Sequence, residues 1–212
     1  MSRRLGIIGA GGHGKVAADV AERAGWDEVV FFDPRFASGA QHHVRWVIAD
    51  APEQAESHQC DGYFVAIGNS QAREQWCQWL LGRGLPLVTL VDPSAVVSRY
   101  ATLAPGVLVV AGAVVNVDSQ LGEGVIVNTR ACVDHDCVIG AYSHICPAVA
   151  MAGAVTVGER SWVGIGSQVK QGVTIGHEVT VGAGATVVSD IDDGLTVVGT
   201  PAGPVESSGR GS

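Results

Sequence analysis

His135 stands between two acids, Asp134 and Asp136, inside the run Val127-Asn128-Thr129-Arg130-Ala131-Cys132-Val133-Asp134-His135-Asp136-Cys137-Val138-Ile139-Gly140. A neutral imidazole is well matched to taking a proton near pH 7, and a neighbouring carboxylate can orient its ring. Such a pair suits attack by an amine or hydroxyl on an activated carbonyl, with hydrogen-bond donors needed for the oxyanion that forms. A solvated outer-surface histidine is the plainer alternative. No His/Cys/Asp cluster has metal-ligand spacing, so no metal is expected.

A second constellation opens the chain. Gly9, Gly11 and Gly14 fit G-x-G-x-x-G between the apolar stretch Leu5-Gly6-Ile7-Ile8 and a run at helical spacing from Lys15 to Ala24. Strand, glycine turn and helix in that order let backbone amides approach a phosphate closely. Val29-Val30-Phe31-Phe32 predicts a second strand ending at Asp33, about where an acid meets a ribose or base. Tyr63 to Ile67 predicts a third strand, followed by Gly68-Asn69-Ser70 capping a helix that runs to about Leu81, and Leu87 to Val91 a last strand. Lys15 and Arg73 read equally as phosphate contacts or as solvated helix charges, and His13 as a ligand or as a hydrogen-bonding spacer in the turn. The unit is half of a full dinucleotide fold, and no second half follows it. A nicotinamide dehydrogenase is therefore disfavoured.

The totals narrow the partners. Thirteen Lys and Arg against 21 Asp and Glu give a net charge of -8, which leaves no basic face for nucleic acid. Met1-Ser2-Arg3-Arg4 runs into an apolar stretch too short for a signal-peptide core or a membrane span, which predicts a cytoplasmic protein. Five cysteines, an odd number, read as reduced thiols. Aromatics at 6% leave the core to small aliphatics, and Ser207 to Ser212 reads as a Gly/Ser-rich tail.

The element that must position His135 is written in a period of six. Stepping from Val91 through Val97, Leu103, Val109 and on to Val187, all seventeen positions are large aliphatics. Four residues after each lies a mostly small residue, among them Ala113, Ser119, Ala131 and Ser143. The position directly after the aliphatic is Gly or Asn in eight cases (Asn116, Gly122, Asn128, Gly140, Gly158, Gly164, Gly176, Gly182), which predicts corners at φ > 0 there. Three such hexads make one coil of a triangular prism, so position n stacks on n+18, about 4.8 Å away. His135 then lies between Val117 and Gly153. A neighbour without a side chain is expected to leave room for a thioester, and its amide to donate to the acyl oxygen.

This hexad pattern resembles the hexapeptide-repeat acyltransferases, whose prism is left-handed, over Val91 to about Gly203. Both halves together resemble the bacterial sugar acetyltransferases related to sialic acid O-acetyltransferase and to the N-acetyltransferases of UDP-linked amino sugars (NeuD/PglD-like). The resemblance implies a small Rossmann-like α/β domain at 1–90 that holds the nucleotide of a sugar substrate, a left-handed parallel β-helix at 91–203 that transfers an acetyl group from acetyl-coenzyme A, and a tail at 204–212. It implies a homotrimer with active sites completed by two subunits. His135 becomes the base and Asp136 its orienting partner, although the relative compared has Glu after the histidine, which leaves Asp134 as a competing partner. Gly11, Gly12, His13, Gly14, Asp33, Gly68 and Asn69 become nucleotide-sugar contacts, with Asn128 near the sugar. His144, Gly153, Ile165 and Ala183 become contacts of the acetyl donor, and Trp162 either stacks on coenzyme A or lies at a subunit contact. The closing Val197-Val198-Gly199-Thr200-Pro201-Ala202 resembles the family's Gly-x-Pro-Ala turn, but Gly203 replaces the usual basic residue, with Lys170 as an alternative cation.

The leading expectation is N-acetylation of an amino group on a nucleotide-linked deoxyamino sugar, a step toward surface polysaccharide or glycoprotein glycan. O-acetylation of sialic acid or another sugar hydroxyl is the first rival. A non-catalytic nucleotide-sugar-binding protein and an inert β-helix scaffold are the others. A serine acetyltransferase is less favoured, because its N-terminal part is helical.

Overall fold

The computed structural model describes residues 2–35, 42–43 and 45–205; the predicted tail from Ser207 lies outside the described residues. The N-terminal unit is a Rossmann-like sheet with strand order β3-β4-β2-β1-β5. Its strands are β1 (Arg4–Ile8), β2 (Glu28–Phe32), β3 (His42–His43), β4 (Trp46–Asp50) and β5 (Gly62–Val65). All pairs are parallel except β3 with β4. Helix α1 covers Gly12–Arg23 and α2 covers Ser70–Leu81, while Pro52–His58 forms a short 3-10 helix. Helix α1 begins inside the glycine motif, earlier than the helical spacing from Lys15 implied.

From Leu90 the chain winds as a left-handed parallel β-helix of two-residue strands on three walls. Stacking follows n+18: Val115 pairs with Val133, and Val133 with Met151. The seventeen-position column lines the interior, where Val115, Val127, Val133 and Val163 are fully buried. In the last coil the step shortens, so that Ile175 bridges Ile191 and Val181 pairs with Val197. Four buried serines of the small column donate through Oγ to carbonyls of the next coil, Ser119 to Asp134 at 2.6 Å, Ser143 to Gly158 at 2.7 Å, Ser161 to Gly176 at 2.7 Å and Ser167 to Gly182 at 2.9 Å. Buried hydroxyls thus tie the coils together instead of standing unsatisfied.

The corners correct the sequence expectation. The Gly or Asn directly after each aliphatic does not carry the positive φ; that falls two residues later, at Asp118, Arg130, Asp136 and Tyr142 and at Gly106, Gly112, Gly124 and Gly166. The early glycines are needed for a different reason. A Cβ on Gly122 would lie 2.7 Å from the Ala141 nitrogen, and one on Gly140 2.6 Å from that of Glu159. Coils approach too closely there for any side chain.

One wall is covered by the N-terminal unit. Its outward strand positions, Leu90, Leu108 and Ile126, are apolar and buried against α1 and the sheet in a cluster with Leu5, Ile7, Ala17 and Val20. The corresponding outward positions on the third wall are exposed, and all but Val138 are polar: Thr102, Gln120, Thr156 and Thr174. Burial of Leu108 and Ile126 stabilises the docked arrangement by ~1.5–3 kcal/mol each before entropy is counted. Among the described residues no helix is long and apolar enough to cross a membrane.

Candidate active site

A cavity of about 420 Å³ opens at the carboxyl ends of β1 and β5, the point in an open α/β sheet where ligands bind. Gly11, Gly12, His13, Asp33 and Gly68 line it, together with Arg35, Pro52 and Trp76, which sequence reading did not single out. Gly9 holds φ at 100°, and a Cβ on Gly14 would sit 2.2 Å from the Gly9 carbonyl oxygen. Gly14 therefore closes the turn rather than facing a ligand. Gly11 and Gly12 have open space where a Cβ would be.

Asp33 accepts the Ala10 N–H at 2.8 Å on one oxygen and the Arg35 Nε at 2.7 Å on the other. Burial works against its charge, but the bonds from Arg35 and Ala10 outweigh burial and hold the carboxyl at about 2. Its local duty is to brace the glycine turn. Asn69 caps α2, accepting from Ala72 N at 2.9 Å, as the sequence predicted; with Gly68, Trp162 and Arg160 it lines an adjoining groove instead of the cavity. Lys15 is not among the lining residues of the cavity.

Between cavity and prism lies a seam of two histidines. The His13 and His144 rings are 6.1 Å apart, His144 meets the Trp162 ring edge-on at 4.4 Å, and Asn128 Nδ2 lies 3.0 Å from His144 Nε2. Burial first, then the Arg73 charge, lowers His13 to about 4. Burial first, then His13 and Arg73, lowers His144 to about 3. Both rings are neutral at pH 7, and His13 Nε2 and His144 Nδ1 are buried without a hydrogen-bond partner.

Arg73 is neither a phosphate contact nor a solvated charge. It is 1% exposed and donates only to backbone carbonyls: Nε to Gly124, Nη1 to Ile67 and Gly68, and Nη2 to Tyr142. Burial lowers it to about 10, so it stays charged. Nothing in its helical position announced this, because the partner carbonyls are contributed by the fold and not by nearby sequence.

His135 occupies a different edge, between the wall of Cys132–Val133 and that of Val138–Ile139. Its Nδ1 lies 2.7 Å from Asp136 Oδ2, a direct contact that the shorter acid makes without a bridging water. The positive φ of Asp136 (58°) turns the carboxylate back toward the ring, and Asp tolerates that conformation. Asp134 does a separate job: its Oδ1 accepts the His135 N–H at 2.8 Å and the Asn116 Nδ2 at 2.8 Å, fixing the turn. The hydrogen bond to Asp136, followed by the Asp134 charge, raises the His135 pKa above its ordinary value. With Nδ1–H directed at Asp136, Nε2 is left to accept a proton. The ring lies over Gly153, where a Cβ would be 2.4 Å from Cε1 and 2.5 Å from Nε2. The space beside Gly153 is thus filled by the imidazole itself, which corrects the expectation of room there for a thioester.

Residues 4–80 match the family described as PglD N-terminal domain, and residues 154–189 match the bacterial transferase hexapeptide family of six repeats. Among solved structures, the acetyltransferase domain of PglB from Neisseria gonorrhoeae is 40% identical, with 96% of this chain and 100% of that one covered and a TM-score of 0.91. The same domain in complex with acetyl coenzyme A gives 41%, 97%, 100% and 0.92. A histidine-to-alanine mutant of GDP-perosamine N-acetyltransferase from Caulobacter crescentus, in complex with CoA and GDP-perosamine, is 38% identical over 95% of this chain and 96% of that one, with a TM-score of 0.89. The chain belongs to the acetyl-CoA-dependent, hexapeptide-repeat sugar acetyltransferases.

In this sugar acetyltransferase the expected site residues fall on two prism edges. His135, Asp136 and Gly153 share one. Asn128, Ile165 and Ala183 lie along the edge between the covered wall and the wall of Cys132, and His144 beside it on the covered wall. Ile165 is 55% exposed. A groove on the wall between these edges is lined by Cys132, Ala150, Met151, Gln168 and Lys170. His135 and the residues of the other edge are therefore not gathered into one pocket of a single chain.

Proposed function

We propose that the chain N-acetylates the amino group of a nucleotide-linked deoxyamino sugar, with residues 1–90 holding the nucleotide sugar and 91–203 carrying out the transfer from acetyl-CoA. The observation that carries this reading is the His135–Asp136 contact at 2.7 Å on an edge remote from the sugar cavity. Similarity to an enzyme named for N-acetylation of GDP-perosamine supports the amine as acceptor.

In the reaction the acceptor nitrogen attacks the thioester carbonyl carbon. The proton lost from nitrogen passes to His135 Nε2, the C–S bond breaks, and the same proton reaches the departing thiolate. Asp136 stabilises the imidazolium, and no acetyl-enzyme forms. Because the base lies on one edge and Asn128, His144, Ile165 and Ala183 along another, the working unit is a trimer in which two chains complete each site. Gly11, Gly12, His13, Asp33 and Gly68 hold the nucleotide end; Ile165 and Ala183 flank the pantetheine.

The test is release of free thiol from acetyl-CoA with a panel of UDP-, dTDP- and GDP-linked amino sugars, run beside free sialic acid. Turnover of an amino sugar, with sialic acid inert, is expected. Acetylation of sialic acid alone moves the reading to the hydroxyl, and thiol release with no acceptor on the panel refutes it.

A further inference from the structure

Arg73 is the largest fully buried side chain among the described residues; Asp92 is as deeply buried but pairs with Arg23 at 2.9 Å. Among the described residues no carboxylate pairs with Arg73; all four of its acceptors are main-chain carbonyls. Burying an unpaired guanidinium is expensive, and a Leu or Met would join two packed surfaces at lower expense. What an arginine adds is a rigid fork of donors that fixes several acceptors relative to each other.

Those acceptors belong to two bodies. Ile67 and Gly68 form part of the nucleotide-side cavity, and their segment is in turn held against the glycine turn, since Gly9 is so close to Ala66 that a Cβ would lie 2.9 Å from its carbonyl oxygen. Gly124 and Tyr142 belong to the prism, and Tyr142 is two residues before His144, the ring that faces His13. We propose that Arg73 is a positioning residue for the acceptor substrate: by clamping the Ile67 and Gly68 carbonyls to those of Gly124 and Tyr142, it sets the nucleotide cavity at a fixed offset from the prism. The proposal rests on the nucleotide-sugar reading above.

Gln78 supplies the control. It also joins α2 to the prism, through Nε2 to Glu123 at 3.0 Å and to the Tyr142 hydroxyl at 3.0 Å, but neither it nor those partners line the cavity. Lysine keeps the charge of Arg73 but not the fork. Binding of UDP, dTDP, GDP and coenzyme A is measured by calorimetry on the full chain. Arg73→Lys is expected to weaken the nucleotide diphosphate that the wild type binds by on the order of tenfold, with coenzyme A changed by less than about twofold. Gln78→Ala should leave both within about twofold. Equal weakening of both ligands in Arg73→Lys, or the same pattern in both variants, reduces Arg73 to a general domain contact and overturns the proposal. Wild-type chain that binds coenzyme A but none of the three nucleotides overturns the nucleotide-sugar reading, and this proposal with it.

Hydrogen exchange on the wild type gives a check that needs no variant. Adding the bound nucleotide should slow exchange at residues 67–70 and also at 122–124 and 142–144. Protection confined to 67–70 would show the two bodies uncoupled and sink the clamp.

Discussion

His135 and His144 are separated by one wall and one corner of the same coil, yet their surroundings push them in opposite directions. His135 stands in water on an uncovered edge, and its partner acid raises its pKa. His144 lies on the wall that the N-terminal unit covers, where it meets His13 with no acid in contact, and burial drives both rings to neutrality. One scaffold thus makes two kinds of imidazole by being covered on one wall and bare on an edge. The wet ring can take and release a proton, whereas the sealed pair can only bind, shape and orient.

Removing the wet imidazole should give the largest effect. His135→Ala is expected to lower turnover by on the order of 10² to 10⁴, with nucleotide binding unaltered. Steady-state kinetics beside calorimetry would check it, and a loss under about threefold with the fold intact would take His135 out of the chemistry. Next comes Gly153→Val, because a side chain there must displace the ring it underlies. A fall in turnover on the order of 10² is expected, with the melting temperature changed by only a few degrees. Unchanged kinetics would mean that the ring works from another position.

How much of this contrast could be read in advance differs between the two sites. The His135 edge was visible because the hexads count off every coil, so the stack of Val117, His135 and Gly153 follows from arithmetic. The reason Gly153 is bare does not follow from the repeat, because periodicity gives neighbours but not which way a ring lies. The seam was invisible as a seam: His13 and His144 lie in different units, and no period links them. The apolar outward positions Leu108 and Ile126, set against the Thr and Gln of the third wall, were the available hint that something covers the first wall. The corner glycines show the same limit, since composition revealed that side chains are excluded but not whether φ or coil spacing excludes them.

The sealed pair makes its own prediction, in stability. Each ring has a folded pKa below the ordinary 6.5, about 4 for His13 and about 3 for His144. Below pH 6.5 the unfolded chain therefore binds protons that the folded chain refuses, so stability falls as the pH drops from 6.5 toward these values. At pH 5 the loss is at most about 2 kcal/mol per histidine. Urea unfolding at pH 7.5 and pH 5 should show it, and replacing both rings by Gln should flatten the slope. An unchanged slope in that double variant would mean that the rings are not sealed in solution.

The smallest effect tests the other half of the contrast. The bond to Asp136 raises the His135 pKa, so a protonated ring persists to higher pH than an ordinary histidine would allow, and the base is lost as the medium acidifies through that raised value. Asp136→Asn keeps the shape and removes the charge. The acidic limb of kcat/KM should then move to lower pH, while turnover at its plateau falls about tenfold, because the imidazolium loses its counter-charge and the tautomer its anchor. Asp134→Asn acts on the turn rather than on the ring nitrogen, and Asn116 can still hold that turn through the amide oxygen, so its acidic limb should shift less. A limb that stays in place in Asp136→Asn would assign the titration to another group, and the distinction between a wet base and a sealed pair would then rest on geometry alone.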